Sequence, residues 1–176
     1  MSGRKVSEVL AAAGVIGSML FVGQELRQSN IQAKAAAYQA IGIATAEYHS
    51  DFSDELLRLS VEAKYAEAVA RWDAVEWERY LRHNLAGLRL AETVMIQIDQ
   101  GLLPPDAMER LGYSFLRTLF LSWPGNACLW PILSSAGSIS PELAAYVERA
   151  PEPDRHECQL DLGLIRDDWI RSAAPG

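Results

Sequence analysis

His49 and its acidic neighbours are the first place in this chain where side chains could do chemistry. His49 lies in "EYHSDFSDE", among Glu47, Asp51 and Asp54. A metal site there would use His49 with Asp51 or Glu47, but residues two apart face different sides of a helix, and no metal-binding spacing results. An exposed acidic turn at a helix end is the plainer reading. His83, four residues after Arg79 in "ERYLRHN", belongs to neither the E-x-x-H of di-iron bundles nor H-E-x-x-H. It reads as a surface or half-buried helix residue. His156 adjoins Glu157 and Cys158. A Cys–His nucleophile needs rigid placement, and the Pro-, Gly- and acid-rich tail around it argues against that.

The two cysteines, Cys128 and Cys158, lack C-x-x-C spacing and a nearby histidine pair, so zinc is not indicated. Two unrelated thiols, one of them buried, is the reading favoured over a disulfide. Arg89 and Glu92 stand three apart on one helix, beside its buried stripe. They read as an orientation-setting ion pair, with a polar pocket holding Arg89, Glu92 and Trp123 as the functional alternative. Trp72, Trp77, Trp123 and Trp130 could line such a pocket, although packing is the commoner use of tryptophan. No phosphate loop, dinucleotide fingerprint or G-x-S-x-G elbow occurs, and no cofactor is implied.

The elements that must position these residues begin with "VLAAAGVIGSMLFVGQ". No charge lies between Glu8 and Glu25. These residues would span about 24 Å as a helix, against a hydrocarbon core of ~30 Å. Three readings compete: a membrane span, a core helix of a soluble bundle, and a signal peptide. Arg4 and Lys5 suit a signal, but no small-residue cleavage site follows. The length criterion favours a span over residues 9–24. Ala13 with Gly17 and Gly14 with Ser18 place small residues four apart, where a second helix can approach closely. Basic residues nearly balance across the segment, with a slight lean to an amino terminus inside.

Beyond it, "ELRQSNIQAKAAAYQAIGIATAEYHS" continues as helix without a stop signal. Ser53 fits an N-cap, with Asp54 and Glu55 in the first turn. Asp73 and Glu76 are spaced as a capping box before a long amphipathic helix that ends at Gly101. The segment "LLPPDAMERLGYSFLRTLFLSWPGN" predicts one helix with Met108, Leu111, Phe115 and Leu119 facing inward, stopped by Pro124–Gly125. Ser140 and Pro141 open a further helix. Residues 151–176 read as a loosely packed acidic tail. Nothing alternates with period two. The expected fold is all-α: a long, transmembrane N-terminal helix continuing into a compact bundle of four to five helices, with residues 1–8 a basic N-terminal segment and 25–150 the helical domain.

An apolar helix followed by "ELRQSN" and "AAAYQA" resembles an uncharacterised group of small bacterial proteins. These have an N-terminal membrane-type helix, an L/I-R-Q-N-like segment and a helical domain. The resemblance continues through "LRHNLAGLRLAETVMIQIDQGLLP" and "WPGNACLWPILSS", and covers roughly residues 9–147. Trp130–Pro131 and Ile139–Ser140 depart from the aromatic residues common at those places. The resemblance implies a helical fold and a membrane anchor, and no activity.

The net charge is −7 and the chain has no basic stripe, which excludes a nucleic-acid footprint. The leading functional reading is a non-enzymatic, single-span helical protein of the bacterial inner membrane. It would meet lipid around residues 9–24 and act through self-association or a partner membrane protein. The alternatives are a small-molecule- or lipid-binding bundle with a polar pocket, enzymatic or not, and a soluble oligomer with its apolar helices packed centrally.

Overall fold

A computed structural model describes the backbone of residues 3–135, 137–149, 156 and 158, and side chains from residue 13 onward among them, Ser135 excepted. Every regular element is helical, and no strand occurs among the described residues. The chain divides into two compact units, Met1–Ala40 and Ile41–Gly176. Helix α1 (Gly3–Ser50) contributes to both, since it runs 48 residues through Gly42 without interruption.

In the first unit the helix is exposed over residues 13–36. Its large apolar side chains are exposed, with Ile16, Leu20, Phe21 and Leu26 each at least 60% exposed. Among the described residues, no helix is long and apolar enough to cross a membrane. That overturns the transmembrane helix and the single-pass inner-membrane placement. The physical reason is length. The uncharged run lies between Glu8 and Glu25. As a helix it covers about 24 Å of a ~30 Å core, and Gly14, Gly17, Ser18 and Gly23 dilute its apolarity.

The second unit starts with the last turns of α1. A turn leads to α2 (Asp54–Glu62), where Ser53 Oγ accepts from the Leu56 N–H at 3.3 Å. A short α3 (Ala66–Val69) precedes α4 (Ala74–Asp99). The Asp73–Glu76 capping box closes on both sides: Glu76 N–H donates to Asp73 Oδ1 at 2.8 Å, and Asp73 N–H donates to Glu76 Oε2 at 3.0 Å. Each half satisfies a backbone donor that the first turn leaves without a partner. Helix α4 is central, contacting α2, α5, α7 and α8. It buries Trp77, Tyr80, Leu81, Asn84, Leu88, Ala91 and Glu92 at helical spacing.

The single helix expected over the next segment is broken. It becomes α5 (Ala107–Arg110), α6 (Phe115–Arg117) and a π-helical turn at Thr118–Ser122. Gly112 adopts φ +83°, a left-handed conformation that glycine takes without strain, and this re-aims the chain. The inward residues are therefore Leu116 and Phe120 rather than Phe115, which is 53% exposed, and Leu111, which is 36% exposed. Pro124 opens α7 (Pro124–Ser135) instead of closing the preceding helix. Its fixed φ suits a first helical position, and it holds Trp123 extended just before it. Gly125 lets α7 seat on the α2–α3 connection: a Cβ there would collide with the Ala63 carbonyl and Val69. Helix α8 (Pro141–Glu148) follows the Ser140 cap, whose Oγ accepts from Leu143 N–H at 3.2 Å.

Cys128 and Cys158 form a disulfide, so the expectation of two unrelated thiols is corrected. His156 N–H donates to Leu121 O at 2.8 Å, which brings the chain to the π-helical turn two residues before Cys158. Apart from His156 and Cys158, the tail expected over 151–176 lies outside the described residues.

Candidate functional site

Two adjoining cavities lie in the second unit and share Tyr48, His49, Asn84, Phe115 and Leu119 in their walls. The larger has a volume of about 330 Å³ and adds Phe52, Ser60, Tyr80, His83 and Trp123. The smaller, about 70 Å³, reaches inward to Thr45, Gly87 and Tyr113. Among the described residues, no Asp, Glu, Lys or Arg lines either one. Ligand sites are characteristically concave and mostly apolar, with a few placed polar groups, and commonly occupy ~300–1,000 Å³.

The walls follow from local structure. The end of α1 carries Thr45 and, one turn on, the adjacent Tyr48 and His49. The buried stripe of α4 contributes Tyr80 and Asn84, and Gly87 one turn further on admits a bulky neighbour. The π-helical turn contributes Leu119 and Phe120. Such turns are rare and recur at functional sites, because the wider i→i+5 ring re-aims side chains.

His83 packs between two rings. Its imidazole stacks on Tyr48, with centroids 4.5 Å apart and planes 15° from parallel, and Phe52 tilts against it at 5.2 Å. Burial lowers the His83 pKa, Asp51 opposes that, and His49 adds to it. The Tyr48 phenol is pushed up to about 12 by burial, with Tyr80 and Tyr113 adding to the effect. Burial also raises Tyr80, against nearby Asn126, Asn84 and Ser60, and raises Tyr113, against Thr45. All three phenols therefore stay protonated at neutral pH.

Several polar groups in and beside the cavities lack partners. The Tyr113 hydroxyl is buried and meets no acceptor or donor in hydrogen-bond geometry, although Thr45 stands close by. The Asn126 side chain is fully buried beside Tyr80 with both amide atoms unpaired. Buried polar atoms without a protein partner are uncommon. Asn84, by contrast, donates from Nδ2 to Tyr80 O at 2.8 Å.

The residues singled out from sequence scatter. Arg89 Nη1 donates to Glu92 Oε2 at 2.8 Å, and Glu92 Oε1 accepts from the Ser140 N–H. Glu92 is 8% exposed and thus ties the start of α8 to α4. Arg89 borders an open cleft with Glu47 and Asp51. Trp123 lines the larger cavity instead, with Lys64 over its ring at 4.8 Å. Trp72, Trp77 and Trp130 are packed in the core, and the indole N–H groups of Trp72 and Trp130 donate to Glu62 and Glu148. Ala13, Gly14, Gly17 and Ser18 are exposed on the first unit, and an added Cβ at either glycine would meet nothing. No group of side chains suited to a metal ion occurs among the described residues.

Sequence reasoning missed Thr45, Tyr48, Asn84, Tyr113 and Leu119 as cavity residues. Two signals were present. Asn84 interrupts an otherwise apolar stripe, and Gly87 sits inside a strong helix, where glycine costs about 1 kcal/mol relative to alanine and so marks a close approach. No protein-family model matches the chain, and no significant match was found among curated proteins or solved structures.

Proposed function

We propose that the second unit is a bundle of four to five helices whose role is to bind a small, largely apolar molecule between α1, α2, α4 and the π-helical turn. The observation that supports it most is the 330 Å³ cavity, walled by aromatic side chains and, among the described residues, lined by no Asp, Glu, Lys or Arg. This is a binding role. The cavity rim brings two imidazoles and a phenol together, but the contacts among them are ring contacts, not the base-to-nucleophile hydrogen bonds that catalysis requires. Titration of naphthalene into the full chain by calorimetry tests the reading. Saturable one-to-one binding is expected, weakened at least tenfold by Leu119→Trp, which fills the space. Binding that never saturates, or that ignores the plug, would refute it.

A second reading concerns the first unit and is supported by the exposed Ile16, Leu20, Phe21 and Leu26. A helix apolar on all sides is normally covered. Further copies of the same helix suit it, since the Ala13–Gly17 and Gly14–Ser18 pairs allow close backbone approach and the apolar residues surround the axis. Sedimentation should show an oligomer that Leu20→Glu with Phe21→Glu reduces to monomer. A monomer in the unaltered chain at high concentration would end this reading.

A further inference from the structure

We infer that the occupant of the cavity is an uncharged, flat ring system bearing one carbonyl oxygen, and that the Tyr113 hydroxyl donates to that oxygen. The inference rests on the ligand-binding reading above and adds the chemical class.

The absence of Asp, Glu, Lys and Arg among the described wall residues sets the first property. A carboxylate taken from water into this space would meet no fixed cation among them, and an ammonium no anion, so the desolvation cost would be uncompensated. The second property follows from the rings. Tyr48 and His83 already stack nearly parallel in the wall, and Phe115 and Trp123 complete it. Aromatic faces favour an offset planar partner over a bulky aliphatic one.

The third property comes from Tyr113. The residue is 7% exposed and lines the inner cavity, and its hydroxyl is buried without a partner. An unmet buried hydroxyl carries a standing desolvation cost that a ligand atom can remove. Burial keeps the phenol protonated, and a phenol is a better donor than acceptor, so the matching ligand atom is an acceptor. Thr45 beside it offers a second hydroxyl to the same atom. A carbonyl on the rim of a ring fits both demands: it lies in the ring plane and accepts two donors.

Three probes sharing one ring separate these properties: naphthalene, 2-acetonaphthone and 2-naphthoate. With the full chain, 2-acetonaphthone should bind about tenfold more tightly than naphthalene, as one rescued buried donor implies. The anionic 2-naphthoate should bind more weakly than either. Tyr113→Phe should erase the acetonaphthone advantage and leave naphthalene within about twofold. Equal affinities for the neutral probes, or a preference that survives Tyr113→Phe, would overturn the assignment and leave Tyr113 to a resident water. Tighter binding of 2-naphthoate would overturn the uncharged class. Failure of every probe would instead remove the ligand-binding reading itself, and this inference with it. Should Tyr113→Phe not fold, the carbonyl carbon resonance of labelled 2-acetonaphthone decides. Bound to the unaltered chain, that resonance is expected downfield of its position in aprotic solvent, and coincidence with the aprotic position would contradict the donor.

Discussion

The hydroxyl of Tyr48 lies 2.9 Å from the point where a Cβ on Gly87 would stand, so the phenol rests directly on the backbone of α4. A glycine in the middle of a 26-residue helix is thereby explained by a contact and not by flexibility. The same contact sets the position of the ring that His83 stacks on, so one missing methyl group shapes the cavity wall.

Gly87→Ala is expected to divide two quantities that normally move together. Helix propensity gains about 1 kcal/mol. The stiff Tyr48 ring must shift, however, and probe affinity should fall several-fold. Thermal unfolding and naphthalene titration on the same sample check this.

Gly125→Ala should be far more damaging. Its Cβ would run into the Ala63 carbonyl, which already accepts the Asn126 N–H at 3.2 Å. Neither backbone can yield without separating α7 from α2. A loss of about 3 kcal/mol or more is expected in denaturant unfolding, at the upper end of overpacking effects.

Glu92→Ala removes a buried carboxylate that joins α4 to the start of α8. The Ser140 N–H loses its acceptor, and a cost of about 2–4 kcal/mol is expected. Arg89→Ala should cost under ~1 kcal/mol, because the Arg89 side chain is 55% exposed. Urea titration of the two variants compares them.

The Cys128–Cys158 disulfide spans a sequence separation of 30. Loop-closure entropy for that length gives about 3–4 kcal/mol of stabilisation. Cys158→Ser should lower the unfolding free energy by that order, and reductant should lower the unaltered chain equally while leaving the variant unchanged.

Tyr48 also predicts an alkaline signature. Its folded pKa of about 12 lies above the ordinary value near 10. The unfolded chain therefore releases this proton first, and the associated stability is complete below pH 10 and lost between about pH 10 and 12. Tyr48→Phe should flatten that limb of the stability curve, followed by circular dichroism against pH. His83 carries the opposite sense at the acid end. Its lowered pKa means stability declines as pH falls below about 6.5, the ordinary histidine value, and His83→Gln should reduce that decline.

The parts of the fold legible in the sequence are those decided by neighbours in the chain. Ser53, the Asp73–Glu76 box and Ser140–Pro141 are caps whose donors and acceptors lie within three residues, and each stands where its spacing predicts. The segment from Leu111 to Trp123 was not legible. Gly112 at positive φ rotates the inward face by about one residue, and Pro124 can begin a helix as readily as follow one. The cavity was less legible still. Thr45, Asn84 and Tyr113 come from three elements and share no local pattern. The apolar run over residues 9–24 was read by its length and apolarity, and neither distinguishes lipid from another helix as the covering surface.

Intermolecular nuclear Overhauser contacts from 2-acetonaphthone to the isotope-labelled full chain test the central claim most directly. The ring protons should contact Tyr48, Phe115 and Leu119, with the acetyl group nearest Tyr113 and Thr45. Contacts confined to the exposed apolar residues between Val15 and Ile31, with none to the cavity walls, would contradict it.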